Sequence, residues 1–137
     1  VIVGVDNNAA VKQLIAVGDA EVADTGWIDS WASSNWQSDT TFITKIRKVG
    51  RVVNLIIDLT ARINLNISSE SSAALVLYNI NSQMTPSVWW QQPIHTVQGK
   101  QVFLKMLQDG GNGLAIRVWG ENMTAGDRIM TTITYMV

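Results

Sequence analysis

The sequence predicts an all-β fold, an antiparallel sandwich or barrel. One long stretch alternates apolar and polar residues, short runs of β-branched and aromatic residues follow it, and glycine- and asparagine-rich turns separate these runs. Only one short segment has a helical period. A repeat of two places alternate side chains on opposite faces of a strand, so each run offers one face to a common core.

The clearest alternation covers residues 53–67, where apolar residues occupy every second position and most residues between them are polar. It predicts a long strand, or two strands joined by a bend, with one buried face. Residues 41–46 are rich in β-branched side chains and predict the preceding strand. Residues 48–51 form the turn, in which Gly50 can adopt the positive φ that tight hairpins often need.

The chain is predicted to have two segments. Residues 1–24 form a neck or linker, and residues 25–137 form the β domain. Asn8 and Gly18 are suitable as the cap and the stop of a short helix whose face carries Val11, Leu14 and Ile15. An extended neck that packs against a partner chain explains the same residues. Because the first residue is not Met, we expect a further segment to precede it.

The rest of the chain continues the β pattern. Residues 25–36 carry three tryptophans among small polar residues, and for each ring we expect core packing rather than ligand binding. Pro93 predicts that residues 88–97 are an edge strand or two short pieces. The remaining expectations are a polar loop at 68–72, a strand at 74–78, a hairpin of 101–108 and 114–119 around the turn 109–113, and a final strand at 128–137.

Composition excludes several classes of function. A chain of 137 residues with 47% apolar content forms one domain with a real core. A net charge of −1 leaves no basic excess for nucleic acid. Without cysteine there is no disulfide or thiolate metal site, the acidic residues lack the spacing of a calcium loop, and no apolar run is long enough for a membrane span. We therefore expect no cofactor, no metal and no membrane insertion.

Four sequence motifs, which follow one another in the same order, resemble motifs of one protein family. Residues 45–55 resemble the hairpin Y-R-K-x-G-x-V-V-x-L of the C-terminal head domains of tailed-phage receptor-binding and baseplate proteins, as in siphophages of lactic acid bacteria. Gly26-Trp27 matches a Gly-Trp segment before that hairpin, residues 109–116 resemble a later glycine-turn hairpin, and residues 126–135 match a closing strand G-D-x-I-x-x-x-I-x-Y. Many of these head domains also have a mid-chain motif L-P-x-G-x-x-P. In the corresponding segment of this chain, residues 77–86, only the last proline, Pro86, is present.

The resemblance implies a jelly-roll or Greek-key-like head at the phage tail tip, outside the cell, where it binds bacterial cell-wall polysaccharide. It also implies a homotrimer that contacts other tail and baseplate proteins. Association has a physical reason as well. Six tryptophans and 47% apolar residues carry more apolar surface than a single sandwich readily buries. Residues 1–3 and 11–17 are the candidate neck where chains meet.

The residues themselves also point to a sugar ligand. If residues 88–95 are extended, Trp90 shares a face with Val88 and Ile94, and Trp89 shares the opposite face with Gln91 and His95. The first face is suitable for the core. The second combines a flat ring with amide and imidazole groups, which suit the C–H face and the hydroxyls of a pyranose. In the alternative interpretation, Trp89 covers a subunit interface and His95 satisfies a backbone carbonyl.

Three further residues are weaker candidates for saccharide binding. Arg117 and Trp119 lie on one side of their predicted strand and supply a cation and a second platform, although an arginine stem often covers a ring without any ligand. Asp109 lies at a hairpin turn that a sugar can reach, and turn chemistry alone also explains it.

The sequence does not favour catalysis. It has a single histidine and no G-x-S-x-G elbow around a serine. Three functions remain open. The first is a non-catalytic adhesin head for cell-wall saccharide, the second a structural baseplate or fibre module that contacts only other virion proteins, and the third a small glycan-degrading domain with two carboxylates.

Overall fold

Ten β-strands form in residues 23–38 and 44–137, the part of the chain that this computed structural model describes. The strands are β1 (Ile28–Asp29), β2 (Trp31–Ala32), β3 (Trp36–Ser38), β4 (Lys45–Val49), β5 (Val52–Ala61), β6 (Ala74–Ile80), β7 (Gln91–His95), β8 (Gln101–Gln108), β9 (Leu114–Gly120) and β10 (Arg128–Met136). These described residues also contain three single-turn 3-10 helices, at Glu70–Ser72, Ser82–Met84 and Gly110–Asn112, and no α-helix. The all-β prediction is confirmed.

The strands form two five-stranded antiparallel sheets. Sheet A has the order β1-β4-β5-β10, and β3 pairs with the end of β5 beyond β4. Sheet B has the order β2-β6-β9-β8-β7. The chain passes from sheet A to sheet B between β1 and β2, and the inner faces of both sheets contribute to one hydrophobic core. Residues 1–22, which contain the predicted neck segments 1–3 and 11–17 and the predicted helix at 8–18, lie outside the described residues, as do residues 41–43 of the predicted strand 41–46.

The central hairpin forms as predicted. Gly50 has a φ of 60° in the turn between β4 and β5. Every second residue of β5 faces the core, and Val53, Leu55, Ile57 and Leu59 are each 0% exposed. β10 pairs with β5 along almost its whole length, from Arg128↔Thr60 to Met136↔Val52.

The prediction that the alternating face stays buried to residue 67 is wrong at Ile63, which is 47% exposed. β5 ends at Ala61, and the next backbone N–H, of Arg62, donates to Asn35 O outside the ladder of sheet A. The chain returns to the core at Leu65, which forms an isolated bridge with Met123. A strand that leaves its sheet no longer has a buried face, so the alternation loses its meaning there.

The predicted hairpin of β8 and β9 and the edge position of β7 are also confirmed. Among the strands of the described residues, β7 pairs only with β8, so Pro93 interrupts no ladder on its other edge there. The prediction that Val88 faces the core is wrong, since it is 77% exposed. Val88 precedes the first residue of β7, and strand alternation therefore does not determine its direction.

The tryptophans before the central hairpin differ from one another. Trp36 is 3% exposed, and its Nε1 donates to Leu75 O at 2.8 Å, so the predicted core packing is confirmed for this ring. The same prediction is wrong for Trp31, which is 62% exposed on a two-residue strand at the edge of sheet B. Trp27 is 43% exposed, and the Arg47 guanidinium lies 5.8 Å from its ring centroid.

A partly buried ion pair, in which Asp127 is buried and Lys100 is partly exposed, connects the β7–β8 turn to the loop before β10. Lys100 Nζ lies 2.6 Å from Asp127 Oδ2, which also accepts from the Thr124 backbone N–H at 2.8 Å. Burial disfavours the ionised form of Asp127, but these donors outweigh that effect and hold the pKa of its carboxyl below the ordinary value. The carboxylate charge therefore contributes to the stability of the folded state.

We expect Asp127→Asn to lower the free energy of unfolding at pH 7 by about 1.5–3 kcal/mol, the usual loss for a hydrogen bond to a charged group. Because folding lowers the pKa of Asp127, the contribution is complete above the unfolded pKa of about 4 and disappears as the pH falls through the folded pKa. Urea denaturation at several pH values measures this: the gap between variant and wild type narrows below pH of about 4.

Asp29→Asn is the matched control, because the Asp29 side chain is 77% exposed and lies 3.6 Å from Lys45. An exposed ion pair of this kind contributes little to stability. A constant gap between the Asp127→Asn variant and wild type from pH of about 7 to about 2 contradicts the charge-based explanation.

Candidate functional site

The outer face of sheet B, the face that points away from the core, carries a row of side chains across four strands. Gln91 on β7 is paired with Lys105 on β8, Lys105 with Arg117 on β9, and Arg117 with Leu75 on β6. Directly opposed residues in antiparallel strands lie on the same face. The four side chains therefore form one continuous line across the sheet.

At the β7 end of this row lies an open groove of about 470 Å³. We call it the Trp89 groove, and its lining residues are Glu70, Trp89, Trp90, Gln91, Lys105, Met106, Leu107 and Gln108. Trp89 and Trp90 directly precede β7. Trp90 packs against the core, with its ring centroid 5.6 Å from that of Tyr135, whereas Trp89 is 50% exposed. One ring thus anchors the groove and the other remains available to a ligand.

Polar groups surround the exposed ring. Lys105 Nζ lies 2.9 Å from Glu70 Oε1, so a cation and an anion meet inside the groove. Gln91 Oε1 accepts from Trp119 Nε1 at 3.1 Å. This bond orients the Gln91 amide and leaves its NH₂ group without a protein partner among the described residues. The groove therefore offers both donors and acceptors next to an apolar ring.

A second aromatic pair lies beside the groove on the same face. Phe103 is paired with Pro93 on one side and with Trp119 on the other. The rings of Phe103 and Trp119 are stacked, with centroids 4.7 Å apart and an interplanar angle of 24°. The hydrogen bond from Trp119 to Gln91 connects this stack to the groove.

Arg117 and Asp109 form an ion pair with each other. Arg117 Nε lies 2.8 Å from Asp109 Oδ2, and Arg117 Nη1 donates to Ala73 O at 2.8 Å. Asn112 Nδ2 donates to the same Asp109 oxygen at 3.2 Å. Both side chains are partly exposed on the outer face, but these bonds also attach the β8–β9 turn to the start of β6.

The structure brings together some of the sequence-predicted site residues and not others. Trp89 and Gln91 line the groove, Trp119 contacts Gln91, and Arg117 adjoins Lys105 in the row. His95 is exposed on the face of Gln91, but it pairs with Gln101 at the opposite end of β7. A strand rises about 3.3 Å per residue, so His95 lies about 13 Å from Gln91 along the strand. It does not line the groove.

Sequence reasoning missed three residues of this face. Lys105 and Phe103 alternate with buried Leu104 and Met106, so the pattern of the predicted strand contains the signal that they point outwards. Nothing in the sequence connects Glu70 to them, because it comes from a polar loop 35 residues away from Lys105.

Within residues 23–38 and 44–137, no group of three or more His, Cys, Asp or Glu side chains is placed to hold a metal ion. Among the same residues, no helix has the length and apolar character needed to cross a membrane.

No family model matches the sequence, and no curated protein or solved structure is significantly similar to it. Function is therefore inferred from the residues and geometry of the outer face of sheet B, together with the sequence motifs.

Proposed function

We propose that this chain is a non-catalytic head domain that binds bacterial cell-wall saccharide for a phage receptor-binding or baseplate protein. The observation that carries the proposal is the half-exposed Trp89 ring in an open groove beside Gln91 and the Lys105–Glu70 pair. The proposed place of action is the tail tip at the host surface.

The groove suits a pyranose for chemical reasons. One face of the sugar ring is lined by C–H bonds and packs on an indole, while its hydroxyls need hydrogen-bond donors and acceptors around the edge. Trp89 supplies the platform, the Gln91 amide supplies donors, and Glu70 supplies carboxylate oxygens. An open groove leaves much of a ligand in contact with water, so we expect weak binding at each site.

The proposed head performs no reaction. Hydrolysis of a glycoside usually needs a pair of carboxyl groups on either side of the scissile bond. Glu70 is the only carboxylate among the described residues that line the groove, and it is paired with Lys105. Weak binding is sufficient for an adhesin, because several linked copies raise the overall affinity.

Assignment to a phage tail, and assembly as a homotrimer with other tail proteins, are proposed from the motif resemblance. Three parts of that resemblance form hairpin turns or a strand, namely the Gly50 hairpin, the β8–β9 glycine turn and the closing strand β10, and Gly26-Trp27 lies directly before β1.

The proposal predicts that Trp89→Ala weakens saccharide binding at least about tenfold, because the variant loses the aromatic platform. We would first test the wild-type chain on an array of bacterial cell-wall polysaccharides and then titrate both proteins with the best ligand. Trp27→Ala is the matched control. Trp27 is similarly exposed, at 43%, but it lies at sheet A, where its ring contacts Arg47 of β4.

Two results contradict the proposal. One is a correctly folded wild-type protein that retains no wall polysaccharide on the array. The other is equal loss of binding in the Trp27→Ala and Trp89→Ala variants, which places the ligand elsewhere. Circular dichroism of each variant shows whether it is folded.

A structural baseplate or fibre module is the second candidate, and the outer face of sheet A favours it. Met130 and Met136 on β10 are 47% and 51% exposed, and Val52, paired with Met136, is 37% exposed. Met136 and Val52 form an exposed apolar pair across β10 and β5, which is suitable for a small protein contact, whereas Met130 lies about 20 Å away along β10. This function predicts that Met136→Glu impairs assembly with partner virion proteins while Trp89→Ala leaves adsorption to the host unchanged.

A further inference from the structure

A second hollow lies on the outer face of sheet B, separate from the Trp89 groove. It has a volume of about 250 Å³ and is lined by Ser33, Ser34, Leu75, Tyr78 and Asn112. Leu75 is the last member of the row that begins at Gln91 in the groove. The groove and the hollow therefore occupy the same side of one sheet.

An irregularity in β6 brings Tyr78 to this side. The pairing of β6 with β9 shifts between Leu75 and Leu77, and Val76 and Leu77 are both 0% exposed. Two consecutive inward residues return Tyr78 to the face of Leu75, as expected for a β-bulge. The hollow thus gains an aromatic wall beside three small polar side chains, of Ser33, Ser34 and Asn112, so it too places a ring next to hydrogen-bonding groups.

Trp31 extends the aromatic surface to the edge of the sheet. It is the cross-strand partner of Tyr78, and the two rings meet edge to face with centroids 6.0 Å apart. At 62% exposed, Trp31 is the most exposed tryptophan among the described residues. A large apolar ring left in water at a sheet edge is informative, because most such rings are covered.

The side chains between the groove and the hollow are polar. Arg117 lies between Lys105 and Leu75 in the row, and its ion pair with Asp109 holds the guanidinium against the sheet. From β7 to β2, sheet B spans four strand spacings, a distance of about 19 Å. That length exceeds a single sugar ring several times.

We infer that this face is a track for several consecutive sugar units, and that the head binds a polysaccharide along its chain rather than at a terminal sugar. The inference rests on the proposed function and names its ligand more closely. Trp89 and Trp31 with Tyr78 supply platforms at the two ends, and the Arg117–Asp109 pair supplies hydrogen bonds between them. An open face across five strands accepts a chain that continues in both directions.

The test uses a length series of one ligand. The polysaccharide that binds best on the wall-polysaccharide array is partially hydrolysed, and fractions from disaccharide to decasaccharide are titrated into wild-type protein and into the Trp31→Ala and Trp89→Ala variants. In wild type we expect affinity to rise with chain length until the chain spans the face. Trp31→Ala removes this increase, about tenfold for the longest chains, and leaves the affinity for the shortest binding fragment unchanged.

Trp27→Ala again serves as the control, and we expect it to keep the full length dependence. The inference is overturned, with the proposed function intact, if wild-type affinity is the same for short and long fragments or if Trp31→Ala keeps the increase. Failure of every polysaccharide on the array to bind wild type instead overturns the proposed function itself.

Discussion

Gly120→Ala is expected to destabilise the fold by about 2–6 kcal/mol, from a strained backbone and a steric clash together. Gly120 closes β9 with a φ of 138°, a conformation that residues with a side chain rarely adopt. A Cβ at this position also lies 2.8 Å from both Gln101 O and Val102 Cα. These are backbone atoms in the paired strand β8, so they cannot move without breaking the ladder.

The clash occurs where several backbone bonds meet. Gly120 N donates to Ile67 O at 2.7 Å, and Glu121 N donates to Gln101 O at 3.1 Å. A backbone shift that relieves the clash of the alanine Cβ therefore disturbs the hydrogen bonds that connect β8 and β9 to the segment after β5. Small domains have a total free energy of unfolding of only about 5–15 kcal/mol. A fraction of the variant molecules is therefore expected to be unfolded at 37 °C.

Urea denaturation of Gly120→Ala and wild type measures the effect. Gly111→Ala is the matched control, because no atom lies within 4 Å of a Cβ built there and its φ is not in the left-handed region. We expect the control to unfold at nearly the wild-type urea concentration. Equal midpoints for the Gly120 variant and wild type contradict the steric argument.

Arg128→Met is expected to lower the free energy of unfolding by about 3–5 kcal/mol, the usual effect of leaving a buried charge without its partner. Asp58 is 0% exposed although it lies on the outer face of β5. Arg128 holds it in a bidentate pair, with Nε at 2.7 Å from Oδ1 and Nη2 bonded to Oδ2. Methionine keeps much of the stem of the side chain but none of its charge.

The double variant Asp58→Leu/Arg128→Met separates the lost pair from the stranded charge. Replacing both partners of a buried ion pair by apolar groups is often close to neutral, so we expect the double variant to be more stable than Arg128→Met alone. Thermal and urea unfolding of the single and double variants measure this. A double variant less stable than the single one shows that the stranded Asp58 charge is not the cause.

The agreement between sequence and structure is best where one strand determines the result. Residues 53–61 alternate, β5 buries one face, and Gly50 takes the positive φ predicted for the turn. The errors fall beyond strand ends, at Ile63 and Val88, where the repeat of two no longer describes the chain. Trp31 is a different error, because its exposure depends on its place at the edge of sheet B.

The candidate site shows the same limit. Trp89 and Gln91 were predictable as neighbours, because they lie two residues apart along the chain. Lys105, Glu70 and Arg117 join them through strand order and register, which local pattern does not contain. His95 satisfies the alternation of β7 but lies beyond the groove, since a shared face does not imply a shared site.

By itself, the sequence determined the β class, the main hairpins and the outward direction of the polar residues of β5 and of Arg117 and Trp119 in β9. Those properties depend on residues a few positions apart, where backbone geometry sets side-chain direction. Tertiary structure alone decided that Trp89, the Arg117–Asp109 pair and Trp31 lie along one face of sheet B. Their approach depends on which strands pair and in what register, and distant parts of the chain set that pairing through one shared core.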